Sequence, residues 1–320
     1  MNEQYTSHFG GDMAAFVAQK RAVGWPYVSS QQRLAAFDRF CVEHHPHERQ
    51  LTRTVALHWA ERRPNEHVNT LIRRITPIRQ FAQYLNGLGI PAYVIPPGIP
   101  GKRLRYVPHI FTKEELGAFF CAVDQCAYDP HSPTRHWVVP VIFRVLYCCG
   151  LRASEAVHLT VEDVDLTIGT LTIRESKGHK SRRVPLAPDV WSLCKMYDHQ
   201  MRGHWPQRTA FFPNRHGGFY RKDFLGRAFH SFWNRADIGP VSGNRPRVHD
   251  FRHSFAVHRL NQWVREHKDL ATYLPYLSMY LGHEHLTETD YYLHLVPEFF
   301  PVLIEASESR LADLIPAVTP

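Results

Sequence analysis

A mostly α fold with one small antiparallel sheet, arranged in two domains, is what this sequence predicts. Three observations carry the prediction. Apolar residues recur at helical spacing along most of the chain, and three short β-branched runs cluster between residues 164 and 186. A proline-rich stretch then separates the first hundred residues from the rest. At 320 residues and 37.2 kDa the chain is long enough for two hydrophobic cores.

The first domain, residues 1–105, reads as a helical bundle. Gln31 to Glu43 places Leu34, Phe37, Phe40 and Cys41 at helical spacing, and Thr52 to Arg63 does so with Val55, Ala56 and Trp59. Glu66 to Leu88 follows with Leu71, Ile72, Ile75, Phe81, Ala82 and Leu85, adjusted at Pro77 and stopped by Gly87 and Gly89. The basic pairs Arg62-Arg63 and Arg73-Arg74 lie on these helices. Residues 91–108 contain Pro91, Pro96, Pro97, Pro100 and Pro108; proline fixes φ and blocks helix, so a semi-extended linker is expected here. Its Lys102, Arg103 and Arg105 suit a strap crossing a phosphate backbone.

The second domain, residues 109–320, is α+β. Thr112-Lys-Glu-Glu115 is a capping box that opens a helix over 113–124. His136 to Cys149 is a largely buried helix stopped by Gly150. Val164 to Leu166, Thr170 to Arg174 and Arg182 to Leu186 form a three-stranded antiparallel sheet with turns at Ile168-Gly169 and 176–181. Helices resume at 188–201, 222–236, 246–263 and 269–281.

The composition excludes several classes. The most apolar run, Trp137 to Cys149, is broken by Pro140 and Arg144 and falls short of the roughly 20 apolar residues of a membrane span. With no basic-then-apolar start, a soluble cytoplasmic protein is expected. Six cysteines show no Cys-x-x-Cys pair and read as free thiols.

Net charge is +8, and its distribution says more than its total. Residues 1–105 carry 14 Lys+Arg against 7 Asp+Glu, residues 202–259 carry 11 against 3, and residues 260–320 carry 3 against 9. Two basic blocks and an acidic end point to a polyanionic partner and to a tail that meets protein.

Four places set cationic side chains beside structural punctuation. In Gly150-Leu151-Arg152-Ala153-Ser154-Glu155, Glu155 lies three residues from Arg152 and is placed to hold its guanidinium, although this is also what an ordinary surface ion pair looks like. Lys177 sits in the turn Ser176-Lys177-Gly178-His179-Lys180, where it reads equally as a solvated lysine or as a mobile proton donor. In His249-Asp250-Phe251-Arg252-His253, His249 and Arg252 share a helical face, and core packing would explain the histidines taken alone. Last, Leu281-Gly282-His283 precedes the adjacent pair Tyr291-Tyr292. A tyrosine, with an unperturbed pKa of about 10, attacks well only where cations stabilise the developing charge.

Taken together, Arg152, Lys177, His249-x-x-Arg252, His283 in Leu-Gly-His and a tyrosine nine residues on resemble the active-site signature of the tyrosine recombinases, the phage-integrase family of site-specific DNA recombinases. Gly-Leu-Arg-x-x-Glu, His-Asp-Phe-Arg-His and Leu-Gly-His carry the match across residues 110–300, while the basic bundle agrees with the family's core-binding domain in character only. The stretch from His253 to Leu281 is longer than in the commonest members.

The resemblance implies a metal- and ATP-independent site-specific recombinase that cleaves and rejoins double-stranded DNA through a 3′-phosphotyrosyl intermediate. Tyr292 would be the nucleophile, Arg152 and Arg252 the phosphate clamp, His249 and His283 donors or proton carriers, and Lys177 the general acid. Glu155 and His253 would support these from behind. Arg62, Arg63, Arg73, Arg74, Lys102, Arg103, Lys180 and Arg182 are the expected DNA contacts. A dimer on each recombination site, a tetramer at synapsis and docking of segment 298–320 on a neighbouring subunit are also implied.

Three rivals have distinct signatures. A zinc enzyme would exploit His249 and His253 four residues apart, but there is no His-Glu-x-x-His and Arg252 would repel a cation, so no metal or other cofactor is expected. A type IB topoisomerase shares the chemistry, but the short chain and separate basic bundle favour recombination. A non-catalytic DNA-binding protein would not need all six positions.

Overall fold

The computed structural model describes residues 5–104, 106–174, 181–221, 223–239 and 244–295. It divides the chain into two compact units at Tyr106/Val107. Lys177 and Lys180, Arg105 and segment 298–320 lie outside the described residues.

In the first unit, helices α1 (Gly10–Ala22), α2 (Val28–His44), α3 (Arg53–Ala60) and α4 (Val68–Gly87) enclose a core of Phe16, Phe37, Trp59, Ile75, Ile78 and Phe81. Helix α1 is not among the sequence expectations. It opens on two glycines without a side-chain cap, which hides it, yet Phe9, Met13, Phe16 and Val17 keep helical spacing and are all buried. Helix α3 starts where Thr52 caps Val55 N–H. Helix α4 runs through Pro77, and the Thr76 hydroxyl donates to the Ile72 carbonyl at 2.7 Å.

The proline-rich segment is extended, but it is fastened along its length to the bundle. Asn86 and Ala92 exchange hydrogen bonds at 2.8 and 2.9 Å, and Asn69 and Leu104 do so at 2.7 and 3.0 Å. Between them Arg79 donates to the carbonyls of Ile95, Pro96 and Ile99, and Ile95 is fully buried. Residues 91–104 of the expected linker therefore pack with the first unit.

The first helix of the second unit, α5 (Lys113–Asp124), opens on the Thr112/Glu115 capping box and is followed by α6 (Arg135–Cys148) and the short α7 (Ala153–Val157). Strands β1 (Val164–Asp165), β2 (Thr170–Ile173) and β3 (Arg182–Pro185) pair antiparallel in the order β1-β2-β3, with Leu171 opposite Val184 and Ile173 opposite Arg182. Helices α8 (Pro188–His204), α9 (Phe224–Arg235), α10 (Asp250–Arg265) and α11 (Leu270–Leu281) follow. Phe111, Phe119, Phe143, Phe229 and Phe251 form the aromatic centre of the core.

Helix α10 starts at Asp250 rather than near 246, so His249 is its N-cap and not an interior residue. The long stretch after His253 resolves into the rest of α10 and α11, whose start Asp269 caps through Ala271 N–H. A satellite core of Phe255, Leu260, Leu274, Leu277, Leu281 and Tyr292 seats α11 and the chain after it on α10. The six cysteines are free thiols.

Candidate active site

Three chain reversals build the site. Gly150 ends α6 with φ +56°, and a Cβ there would lie 2.7 Å from Phe255 and 3.0 Å from Leu281. That close approach sets Arg152, the N-cap of α7, beside α10 and α11. Gly282 ends α11 with φ +67° and turns the chain to His283. Helix α12 (Thr287–Asp290) and the 3₁₀ turn Tyr291–Leu295 then bring Tyr292 back to α10.

Arg252 lies at the centre, 1% exposed. It donates to the Gly150 carbonyl at 2.9 Å and to the Leu281 carbonyl, both at helix C-termini where unpaired carbonyls carry partial negative charge. Among the described residues no carboxylate forms an ion pair with it. Burial, then Arg152, pushes its pKa down to about 10. A buried guanidinium without an ion-paired carboxylate is costly, and an anion supplied from outside would relieve that cost.

Arg152 donates from Nη1 to Glu155 Oε1 at 2.9 Å and from Nη2 to the Gly282 carbonyl at 2.9 Å. Two of its five N–H donors are thus engaged by these bonds, and its side chain stays 18% exposed. Burial raises the Glu155 pKa, but Arg182 and then Arg152 overcome it and hold the carboxyl at about 2.

Three neutral imidazoles line the same pocket. Burial, then Arg252, Arg247 and Arg152, pushes His249 down to about 4. Burial, then His249 and Arg252, holds His253 at about 3, and burial, then Arg252, Arg152 and Arg182, holds His283 at about 3. The His249 and His253 rings meet edge to face at 4.7 Å, and the His253 Nδ1 is buried without a hydrogen-bond partner. His283 Nδ1 lies 2.7 Å from Thr289 Oγ1, a fully buried hydroxyl that fixes the ring.

Tyr292 enters between these groups, 3% exposed, with its ring 5.6 Å from His253 and 6.0 Å from His283. Burial raises its pKa, and Arg252 and Arg152 oppose the rise. Tyr291 is only half-buried and packs on Tyr292 and the satellite core. Five sequence-predicted residues, Arg152, His249, Arg252, His283 and Tyr292, therefore converge, with Glu155 and His253 directly behind them.

Two expected DNA contacts are corrected. Arg182 has a side chain only 9% exposed, and its Nε, Nη1 and Nη2 are bound to Tyr280 and Glu155 inside the unit. Arg74 is 8% exposed, paired with Glu66 at 2.9 Å and bonded to the Trp59 and Glu61 carbonyls. Arg62, Arg63, Arg73, Lys102 and Arg103 are exposed on the first unit. Sequence reasoning missed Thr289, and it misread Arg182. The signal for Arg182 was present, because residue 182 points to the same side of its strand as the core residue Val184. Among the described residues, no group of three or more His, Cys, Asp or Glu is placed to hold a metal ion, and no helix is long and apolar enough to cross a membrane.

Residues 111–298 match the family model of the phage integrase family. A Sinorhizobium fredii protein that carries an integrase/recombinase name is 29% identical over 316 residues, covering 96% of this chain and 99% of its own. Tyrosine recombinase XerC of Chlamydia caviae is 29% identical over 235 residues, covering 72% of this chain and 69% of its own. Among solved structures, the XerH site-specific recombinase bound to a palindromic difH substrate superposes with a TM-score of 0.65 at 19% identity, covering 92% of this chain and 83% of that chain. The Tn1549 transposon integrase in complex with transposon right-end DNA also gives 0.65, at 14% identity, covering 94% of this chain and 99% of that one. At such identities the two structures speak to the fold.

Proposed function

The chain belongs to the phage integrase family of site-specific recombinases, and from that premise we propose that it cuts and rejoins double-stranded DNA through a covalent bond to Tyr292. The Tyr292 oxygen attacks the scissile phosphorus, the bond to the 5′-oxygen breaks, and the phosphate stays on the 3′ end as a phosphotyrosyl ester. A 5′-hydroxyl from another strand reverses the step and releases the tyrosine. One ester replaces another at each stage, so no ATP is consumed.

The convergence of Tyr292 with Arg152 and with an Arg252 that has no ion-paired carboxylate among the described residues is the observation that carries this reading. Charge builds on the non-bridging oxygens as the tyrosine attacks, and fixed guanidinium donors in a water-poor pocket stabilise it. The imidazoles of His249 and His283, held neutral, supply an N–H to the phosphate or accept the Tyr292 proton. Lys177 is assigned by its place in the sequence as the acid that protonates the leaving 5′-oxygen. The arginines take the part that Mg²⁺ plays in other phosphoryl transfers, so the reaction proceeds without metal. The exposed Arg62, Arg63, Arg73, Lys102 and Arg103 contact phosphates, and segment 298–320 joins subunits into a dimer on a site and a tetramer at synapsis.

The test is covalent capture. Protein is mixed in EDTA with nicked duplexes of randomised core sequence, and SDS-stable adducts are recovered and sequenced. The wild type and Tyr291→Phe should form adducts and Tyr292→Phe none. Absence of any adduct, or an adduct that needs divalent metal, would contradict the proposal. Deleting 298–320 should weaken assembly more than binding to one site.

A further inference from the structure

Arg182 joins the parts of the pocket into one closed ring. Its Nη1 and Nη2 donate to Glu155 Oε1 and Oε2 at 3.0 and 2.7 Å, and its Nε donates to the Tyr280 carbonyl at 2.7 Å. Glu155 also accepts from the Arg152 backbone N–H and Nη1, both at 2.9 Å. Arg152 Nη2 reaches the Gly282 carbonyl at 2.9 Å, two residues beyond Tyr280, and so closes the circuit. The ring thus spans β3, α7 and the C-terminus of α11. Gly282 lies flat on the guanidinium, where a Cβ would come within 2.8 Å of Arg182 Nη1.

The ring does two physical things. Glu155 spends both oxygens on Arg182, so it cannot swing to chelate Arg152 with two parallel bonds. One carboxylate is also shared by two guanidinium groups, so Arg152 keeps much of its positive potential for an incoming anion. The same ring pins Tyr280 and Gly282, and with them the turn that delivers His283.

We propose that Arg182 is a positioning residue for strand cleavage, aiming Arg152 and the His283 turn at the scissile phosphate without touching DNA itself. The assignment rests on the phosphotyrosyl reading above. A lysine in its place keeps the charge but cannot offer the parallel pair of donors plus a third to Tyr280.

The test uses the full chain and the duplex recovered by covalent capture, with adduct formation followed in a single turnover. Arg182→Lys should slow cleavage by about tenfold to a hundredfold, as a small misplacement of a transition-state donor does, while half-saturation by duplex stays within about twofold. In an Arg152→Lys background, adding Arg182→Lys should cost clearly less than it does in the wild type, because one of the two groups it aims is already altered. Loss of duplex binding in step with rate, or full multiplication of the two defects, would overturn the proposal. So would an Arg182→Lys chain that does not fold, since the ring would then serve the fold and not its aim. A wild-type protein that forms no adduct fails the phosphotyrosyl reading instead, before any variant is compared.

Discussion

Two buried arginines, one in each unit, have opposite electrostatic settings. Arg74 is 8% exposed and meets Glu66 through two nitrogens, at 3.0 and 2.9 Å, with the Trp59 ring beneath it. Arg252 is 1% exposed and meets two main-chain carbonyls, with no carboxylate partner among the described residues. The first charge is cancelled where it sits, so it serves the fold. The second has no ion-paired carboxylate among the described residues and lies among imidazoles held neutral by burial first and then by the surrounding arginines, so under the proposed function it is left to meet a phosphate.

The largest effect expected from this contrast is on chemistry. Arg252→Lys should lower single-turnover cleavage by roughly a hundredfold to a thousandfold, the usual loss when a fixed transition-state donor is removed, whereas Arg74→Lys should leave the rate per folded molecule unchanged. Comparable losses in both variants would erase the distinction.

On stability the order reverses. Arg74→Met leaves the half-buried Glu66 carboxylate with the Arg63 N–H but no cation against it, and should cost about 3–4 kcal/mol by urea unfolding. Arg252→Met removes a buried charge that has no ion-paired carboxylate and leaves two carbonyls and the Tyr292 hydroxyl without that donor, so it should cost less than Arg74→Met, about 2–3 kcal/mol. A larger loss for Arg252→Met would show that its charge is compensated after all.

The pH dependence sharpens the same point. His249, His253 and His283 have folded pKa values near 4, 3 and 3, below the ordinary value of about 6.5. Between those values the unfolded chain binds more protons than the folded one, so stability is fully present above pH 6.5 and falls as pH drops from there towards 4. The slope should approach about 1.4 kcal/mol per pH unit for each histidine. Urea unfolding at pH 7, 6 and 5 measures it, and a flat profile would mean that neither burial nor the neighbouring arginines depress the imidazoles.

The smallest effect concerns the surface. Arg73, next to Arg74 but exposed, should act on DNA through salt-dependent affinity alone, with Arg73→Ala lowering the slope of log K against log salt by about 1. An unchanged slope would remove Arg73 from the DNA contacts.

What the sequence revealed and what it hid follow the same physics. Helix α5 was legible to the residue, because Thr112 and Glu115 satisfy local N–H groups and need no tertiary partner. The sheet was legible because β-branched alternation is local as well. The candidate site residues were legible through the family resemblance, but that the pocket closes around Tyr292 depends on Gly150 and Gly282, whose close contacts join segments 130 residues apart, as Arg152 and Gly282 show. Arg74 and Arg182 were misread because a basic side chain suggests solvent. Their positions nevertheless follow the core pattern, Arg74 with Leu71 and Ile78 on a helix face and Arg182 with Val184 on a strand face. Thr289 was hidden for a plainer reason: its partner is a histidine six residues away, a spacing with no helical or strand meaning.

The central claim is that Tyr292, and not its neighbour, carries the DNA. The wild-type adduct formed in EDTA can be digested with nuclease and protease and the remaining nucleotide located by mass spectrometry. The account predicts a 3′-linked nucleotide on Tyr292 with Tyr291 unmodified; a nucleotide on Tyr291, or on any side chain other than Tyr292, would contradict it.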